Sequence, residues 1–253
     1  MTQPEGAWND ADGLRWYSFD DKDYLSVTSM RKSLGMPYSL HRWVMKQTLE
    51  AVQKDPDLLI RGEKETDANV RTRIVKAGES ARDIAAERGT EVHGLIAAGT
   101  PIKDVPKELQ PYVEQYARAV IALGIKPLLV ERTVFNDQYN YAGSFDLLAT
   151  LRSKDNRVYV IDLKTGKSTY PEHALQGYAY LKAEFVGKQP DKVDEKATAL
   201  LKKATGVGIL RIGPDAWDFH DVRIDKNLDL AFRAMATFAK WTVTYKDLAS
   251  LEA

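Results

Sequence analysis

The sequence predicts an α/β fold in which a mixed central sheet is flanked by helices, with a helical region at the N-terminus. Apolar residues recur at helical spacing in the first half of the chain, and three β-rich segments follow one another in the middle. Helices and strands then alternate to the end. The 253 residues, 44% of them apolar, are enough for a substantial core. We predict two parts, an N-terminal extension over residues 1–75 and a core over residues 76–253.

The N-terminal extension is predicted to be partly helical. An irregular lead over residues 1–24 is followed by a short extended piece at 24–29. Ser39 is a plausible N-cap for a helix over 40–54, where apolar residues have helical spacing. Residues 57–76 are highly charged and lack firm periodicity, so either a second helix or a flexible arm fits them.

The core begins with two helices and an antiparallel meander of three strands. The helices are predicted over 80–98 and 111–123, and Gly124 ends the second one. The strands are predicted over 128–135, 141–151 and 157–163, with a turn at 153–156. The remaining elements are a helix over 171–185, a polar region at 188–203 that admits another helix, a hairpin of strands 207–212 and 217–222, and a final helix over 227–245.

Charge and composition exclude several classes of protein. Lysine plus arginine equal aspartate plus glutamate, at 36 each, so any surface for a polyanion must be a local patch. The chain has no cysteine, which excludes disulfides, thiolate zinc sites and iron–sulfur clusters held by cysteine. No stretch approaches the roughly 20 apolar residues of a membrane span, and we expect a cytoplasmic protein without membrane contact.

The third predicted strand ends in a carboxylate and an ammonium. Asp162 and Lys164 share one face of this otherwise apolar strand, which predicts a central, buried position. The hairpin brings Asp146 of the preceding strand toward Asp162. Two converging carboxylates repel each other unless a divalent cation lies between them. Such a centre suits phosphodiester hydrolysis, although a solvated Asp–Lys pair at a strand end would also fit the tripeptide alone.

Three sequence segments resemble the RecB-like branch of the PD-(D/E)XK nuclease superfamily. They are Gly143-x-x-Asp146, the run Ile161-Asp162-Leu163-Lys164-Thr165-Gly166, and Gln176-x-x-x-Tyr180. A fourth segment, Arg88 to His93, resembles the upstream histidine helix of that branch. Residues 80–185 carry the resemblance, and the branch includes CRISPR-adaptation nucleases as well as phage and mitochondrial genome-maintenance exonucleases. Because the chain has no cysteine for an iron–sulfur cluster, the phage or mitochondrial type is favoured over the typical CRISPR-adaptation role.

The resemblance implies a restriction-endonuclease-like core and a set of site residues. Asp146 and Asp162 are then metal ligands for Mg²⁺ or Mn²⁺, joined by His93 and the backbone carbonyl of Leu163. Lys164 is the catalytic lysine. The family uses the glutamine–tyrosine pair near the scissile strand, so Gln176 and Tyr180 become candidate DNA-binding residues; their spacing places both on one helix face.

Several other residues have weaker indications. Glu131 is a candidate outer acidic group, for which a surface salt bridge is the favoured interpretation. A basic cluster near the N-terminus, with Tyr38 and Trp43 interleaved, suits either single-strand binding or a solvated helix face; its members are Arg31, Lys32, His41, Arg42 and Lys46. His173 and His220 have no partner that the sequence identifies.

The sequence therefore favours a metal-dependent DNA exonuclease acting on single strands or ends, with recombination or replication proteins as possible partners. An endonuclease of the same fold and a DNA-binding module with a degenerate nuclease core are the alternatives. A small-molecule hydrolase has no glycine-rich loop or nucleophile motif in its favour. The N-terminal extension is also a candidate gate over the active site.

Overall fold

A computed structural model describes residues 6–35, 38–188 and 191–245; nothing is described of the side chains of residues 38, 39 and 81. Among these residues, no helix is both long and apolar enough to cross a membrane. The described part contains seven α-helices and ten strands. The predicted mixed α/β class with a central sheet flanked by helices is confirmed.

The N-terminal lead is a three-stranded antiparallel ribbon, so the prediction of an irregular segment was wrong for the residues described. Its strands are β1 (Ala7–Asn9), β2 (Arg15–Phe19) and β3 (Lys22–Ser26). Asp20 and Asp21 have φ of 50° and 56°, which is the left-handed geometry of a tight hairpin turn. The extended piece ends at Ser26, whose hydroxyl accepts the N–H of Ser29 and caps helix α1 (Val27–Lys32).

The next helices match two of the predictions and extend a third. Helix α2 (Tyr38–Lys54) and helix α4 (Gln110–Leu123) are found as expected, the latter ending at Gly124 with φ 62°. Helix α3 (Asp67–Ala97) is longer than predicted, because the charged segment after residue 66 continues into it. Its charged residues favour a helix through their intrinsic propensity and through ion pairs between residues three positions apart, such as Glu79 and Arg82. A search for apolar residues at helical spacing does not detect these contributions.

The meander is β4 (Ile125–Asn136), β5 (Tyr141–Leu151) and β6 (Arg157–Lys164). After it come α5 (Pro171–Leu181), β7 (Phe185–Lys188), β8 (Lys192–Val193) and α6 (Glu195–Leu201). The chain continues with β9 (Ala204–Ile212), β10 (Trp217–Asp221) and α7 (Lys226–Thr244). Helix α5 is shorter than predicted, because its last predicted residue begins β7 and pairs with β4.

Strand β5 is the centre of the sheet. Strand β4 pairs antiparallel with β5 along one edge. Two strands pair with different parts of the other edge: β3 pairs in parallel with Tyr141 and Ala142, and β6 pairs antiparallel with residues 147–151. Strand β9 extends the sheet parallel to β6, and β10 forms its edge. The sheet is therefore mixed, as predicted.

Residues up to Leu34 together with Val92 onward form one compact unit, and Gly35–Glu91 form a second. In the first unit, helices α1, α5 and α7 cover one face of the sheet through buried residues such as Met30, Tyr178 and Phe232. Helix α4 covers the opposite face. The predicted division between residues 75 and 76 falls inside α3, and whether residues 76–253 fold by themselves stays a prediction.

Candidate metal centre

Asp146 lies where strands β5 and β6 separate. Their ladder ends at the pair Leu147 and Ile161. Beyond it, the N–H of Leu163 donates to Asp146 Oδ2 at 2.6 Å. The aspartate side chain therefore replaces the carbonyl that a continuing strand would have offered. This hydrogen bond fixes the carboxylate beside the C-terminal end of β6.

His93 approaches Asp146 from the last turns of α3. Its Nδ1 lies 3.2 Å from Asp146 Oδ1. Burial lowers the pKa of His93, but the Asp146 carboxylate outweighs it and the net shift is upward. Burial raises the pKa of Asp146, but His93 and Lys164 together hold that pKa below its ordinary value. The two predicted ligands are thus in direct contact as an imidazole–carboxylate pair.

Glu131 stands opposite Asp146 on the neighbouring strand. The β4–β5 ladder pairs the residue before Glu131 with Leu147 and the residue after it with Phe145. Glu131 itself has φ 47°, in the left-handed region that residues with a Cβ rarely adopt. Such backbone strain is typical of functional sites.

His93, Glu131 and Asp146 form a candidate metal site. Each offers one ligand atom, and these atoms all lie within 4.8 Å of one another. Burial, followed by the charge of Asp146, raises the pKa of Glu131 to about 7, while His93 opposes the rise. Three groups of this kind fit a cation that accepts oxygen and imidazole ligands.

The sequence interpretation of Glu131 missed this position. Within the described residues it makes no ion pair with a lysine or arginine, so the favoured surface salt bridge is not formed. Counting register outward from the turn after Asn136, which pairs with Tyr141, places Glu131 opposite Asp146. This register depends on Asn136 belonging to the strand, whereas the predicted strand ends at Phe135.

Asp162 and Lys164 form a buried pair at the end of β6. Asp162 is 1% exposed, and Lys164 Nζ lies against its Oδ2. Burial raises the pKa of Asp162 and Lys164 lowers it, with a net upward shift. Within the described part of the chain, the Lys164 ammonium is the one partner found for Oδ2. A buried carboxylate with a single cationic partner can accept a further cation contact, so Asp162 and the Leu163 carbonyl stay proposed ligands beside the three grouped residues.

A cavity of about 250 Å³ opens beside the metal-site residues. His93, Glu131 and Asp146 line it together with Tyr116 and Leu163. The site is therefore accessible through this cavity, while Glu131 and Asp146 are held within strands β4 and β5. Ligands on strands and a long helix are positioned more rigidly than ligands on loops.

The α5 residues Gln176 and Tyr180 form a polar chain with Arg31 of α1. Arg31 of α1 donates to Gln176 Oε1 at 3.1 Å, and Gln176 Nε2 donates to the Tyr180 hydroxyl at 3.0 Å. Tyr180 is buried, and burial followed by the nearby charge of Asp162 raises its pKa well above the ordinary value. The structure thus connects α1, α5 and the acidic centre; a DNA contact by this pair stays a prediction.

The two remaining histidines have partners that the sequence did not identify. The backbone N–H of Tyr170 donates to His173 Nδ1 at 3.2 Å, and His220 Nε2 lies 3.3 Å from Thr169 Oγ1. The predicted basic cluster is divided, because Arg31 and Lys32 belong to one compact unit and its other members belong to the second.

Comparisons with known proteins yield only distant structural likenesses. No family model and no curated protein matches the chain. The alkaline exonuclease LHK-Exo from Laribacter hongkongensis is 11% identical, with a TM-score of 0.40, covering 91% of this chain and 95% of its own. The same enzyme in complex with dAMP gives 10% identity, a TM-score of 0.36, and coverage of 90% and 94%. The protein SSO0001 gives 11% identity, a TM-score of 0.33, and coverage of 87% and 84%. The functional assignment therefore rests on the geometry of the site.

Proposed function

We propose that this protein is a metal-dependent deoxyribonuclease, and specifically an exonuclease that hydrolyses phosphodiester bonds of single-stranded DNA or DNA ends. The observation that carries the proposal is the convergence of His93, Glu131 and Asp146 next to the buried Asp162–Lys164 pair. A carboxylate-rich cation site with an adjacent lysine is suited to a reaction in which a phosphate gains negative charge.

Each side chain has a part in the proposed reaction. His93, Glu131 and Asp146 would hold Mg²⁺ or Mn²⁺, with Asp162 and the Leu163 carbonyl as additional donors. When bound, such an ion would supply Lewis acidity toward the phosphate and lower the pKa of a water molecule. Lys164 is oriented by Asp162 and presents its ammonium to the phosphate oxygens, offsetting the charge that develops on them.

The acidic groups also explain why the lysine is needed. Asp146, Asp162 and Glu131 would repel a DNA phosphate if their charges were not offset. Lys164 offsets part of this charge from a position that is only partly buried. Gln176 and Tyr180 of α5 are proposed to contact the DNA strand that enters the site.

The proposal is tested by incubating end-labelled linear and covalently circular single-stranded DNA with the protein in Mg²⁺, Mn²⁺ or EDTA. Wild type is compared with Asp162→Ala and Lys164→Ala. Lys22→Ala is the matched control, because Lys22 also pairs with an aspartate, at 2.8 Å, but on the exposed surface. We expect linear DNA to shorten from an end, circles to survive, and both site variants to lose activity while Lys22→Ala keeps it.

The other outcomes distinguish the alternatives. Cleavage of circles would make the enzyme an endonuclease. If the protein cleaves no DNA with either metal and calorimetry detects no Mn²⁺ binding, the protein is a DNA-binding module without catalytic activity. Full activity of folded Asp162→Ala or Lys164→Ala would refute the assignment of these residues.

A further inference from the structure

Helix α7 carries two apolar stripes, of which one is buried and the other exposed. Phe232 and Met235 of the first stripe pack into the core. The second stripe lies on the solvent side, where Leu230 is 63% exposed and Phe238 and Trp241 are each 46% exposed. A surface helix needs one apolar stripe to hold it on its domain. The second stripe therefore has no part in holding α7 in place.

The aromatic residues of the second stripe form one continuous surface. The rings of Phe238 and Trp241 stack with their centroids 6.2 Å apart and their planes at 21°, and Tyr245 follows Trp241 at 5.9 Å. Single exposed apolar residues are common, but a contiguous patch marks an interaction site. Because about half of each large side chain is exposed, the patch offers roughly 400 Å² of apolar area. That is about half of one partner's share of a standard protein interface.

The spacing of the stripe fits a second helix. Leu230, Ala234 and Phe238 follow one another at intervals of four residues, so they form a ridge along α7. The exposed Ala234 leaves a hole between its two larger neighbours. From Leu230 to Tyr245 the stripe is roughly 22 Å long. A partner helix of about four turns covers this length and can insert one side chain over Ala234.

A row of exposed cations borders the stripe. Lys226, Arg233 and Lys240 recur every seven residues, which is close to two turns, so they lie along one side of α7. Arg233 pairs at 2.7 Å with Asp229, the one acidic residue of the helix. Within the residues that the structure describes, Lys226 and Lys240 have no ion pair. Two copies of this face would bring cations against cations, whereas an acidic partner would be attracted.

We infer that the exposed face of α7 binds an amphipathic helix of another protein, one whose apolar stripe is flanked by aspartate or glutamate. The face consists of the basic row together with Leu230, Ala234, Phe238, Trp241 and Tyr245. The inference goes beyond the proposed function and does not depend on it, because the face contains none of the site residues.

Single-stranded DNA is also apolar and negatively charged, but it fits the face less well. Bases bind by stacking on free aromatic faces. Here Phe238 and Trp241 stack on each other, and the Leu230 end of the patch has no ring. Aliphatic and aromatic side chains of a helix can pack along the whole stripe.

The probe is a fluorescein-labelled peptide of three heptads, with leucine at positions a and d and glutamate at e and g. Its twin has lysine at e and g. Fluorescence anisotropy with the full chain measures both. We expect the acidic peptide to bind wild type about 10-fold more tightly than its twin. Trp241→Ala should weaken the acidic peptide about 10-fold, because a central aromatic contact is lost. Lys240→Glu should weaken it about fivefold and strengthen the twin.

Ile121→Ala and Lys196→Glu are the matched controls. Ile121 is 74% exposed on helix α4, and Lys196 is exposed on helix α6. Both variants should bind the acidic peptide like wild type. Circular dichroism and urea unfolding check that every variant is folded. Cleavage of linear DNA should be the same for Trp241→Ala and wild type, so a failure of the nuclease assignment is distinguishable from a failure of this inference.

Three results would overturn the inference. In the first, wild type binds neither peptide, or binds both equally. In the second, neither peptide binds but Trp241→Ala weakens binding of a labelled oligo(dT) 12-mer in EDTA about 10-fold, which would make the face a site for single-stranded DNA. In the third, sedimentation shows that wild type forms a dimer and that Trp241→Ala dissociates it, which would assign the face to a second copy of this chain.

Discussion

Glu131 holds a left-handed backbone conformation, φ 47°, inside a long strand. For a residue with a Cβ this conformation costs about 1–2 kcal/mol, and glycine avoids the cost. We therefore expect Glu131→Gly to be about 1 kcal/mol more stable than Glu131→Ala in urea unfolding. Arg132 is the next residue of β4 and does not have a positive φ. There we expect the reverse, with Arg132→Ala more stable than Arg132→Gly. Equal stability of the two Glu131 variants would show that the strain is absent in solution.

The pKa of Glu131 gives a pH dependence for the metal-free protein. Its folded-state pKa of about 7 is above the ordinary value of 4.5, so the folded chain holds a proton that the unfolded chain releases between these values. Wild type should therefore lose stability relative to Glu131→Gln as pH rises from about 4.5 through about 7. Unfolding in urea with EDTA across this range measures the difference, and a difference independent of pH would contradict the shift.

At the residue level, the sequence identified the groups that the meander brings together but not their contacts. Asp146, Asp162 and Lys164 were predictable because polar groups interrupt apolar strands whose register follows from a short turn. The separation of β5 from β6 was not predictable, since it depends on β3 occupying the other half of the same edge. Nor was the hydrogen bond from Tyr170 to His173, which requires the backbone geometry of the helix start.

Close packing of helix α5 on strand β9 makes one glycine essential. A Cβ on Gly177 would lie 2.5 Å from Val207 Cγ1, whereas a Cβ on Gly94 of α3 would meet nothing within 4 Å. We expect Gly177→Ala to destabilise the protein by about 1–3 kcal/mol through overpacking. Gly94→Ala should instead stabilise it by about 0.5–1 kcal/mol, because alanine is the better helix former.

The control for this prediction is Val207→Ala. If the clash is the cause, Val207→Ala should be less costly in the Gly177→Ala background than in wild type, and a double-mutant cycle in urea measures the coupling. Additive effects would instead indicate that Gly177 acts through the backbone alone.

Among the elements, those with a clear apolar pattern were predicted closely and those that depend on distant partners were not. Strand β5 was predicted to its exact ends, and α2, α4 and α7 to within two residues. The β1–β3 ribbon was missed because its strands are short and their apolar residues show no extended alternation in the sequence. Phe19 and Tyr24 in fact join Phe135 and Ala142 in one buried cluster, which the local pattern does not reveal.

At the scale of the whole molecule, residues 6–34 belong to the same compact unit as the chain from Val92 onward. Val27 and Met30 are 0% and 1% exposed, and β3 pairs with β5. A protein that starts at Gly35 should therefore lose cooperative unfolding, measured by circular dichroism during a urea titration. For the same reason, removing the first ~75 residues is unsuitable as a test of a gate, since it removes part of the core.

Point substitutions show whether this loss arises from packing. Met30→Ala should cost about 2–5 kcal/mol, as expected for a buried methionine. Leu34→Ala, at a side chain that is 46% exposed, should change stability by less than about 0.5 kcal/mol. If the protein that starts at Gly35 unfolds cooperatively with the same urea midpoint as wild type, the N-terminal residues do not contribute to the core.

The shared edge of β5 also sets an order of events during protein synthesis. The β1–β3 ribbon is translated long before its partner residues Tyr141 and Ala142. Until then Tyr24 and Leu25, buried in the finished molecule, have no sheet to cover them. The nascent chain thus carries an exposed, strand-forming segment while α2, α3 and α4 are translated. Because non-local strand pairing is slow and unpaired strand edges are prone to association, this segment is open to non-native contacts until β5 is made.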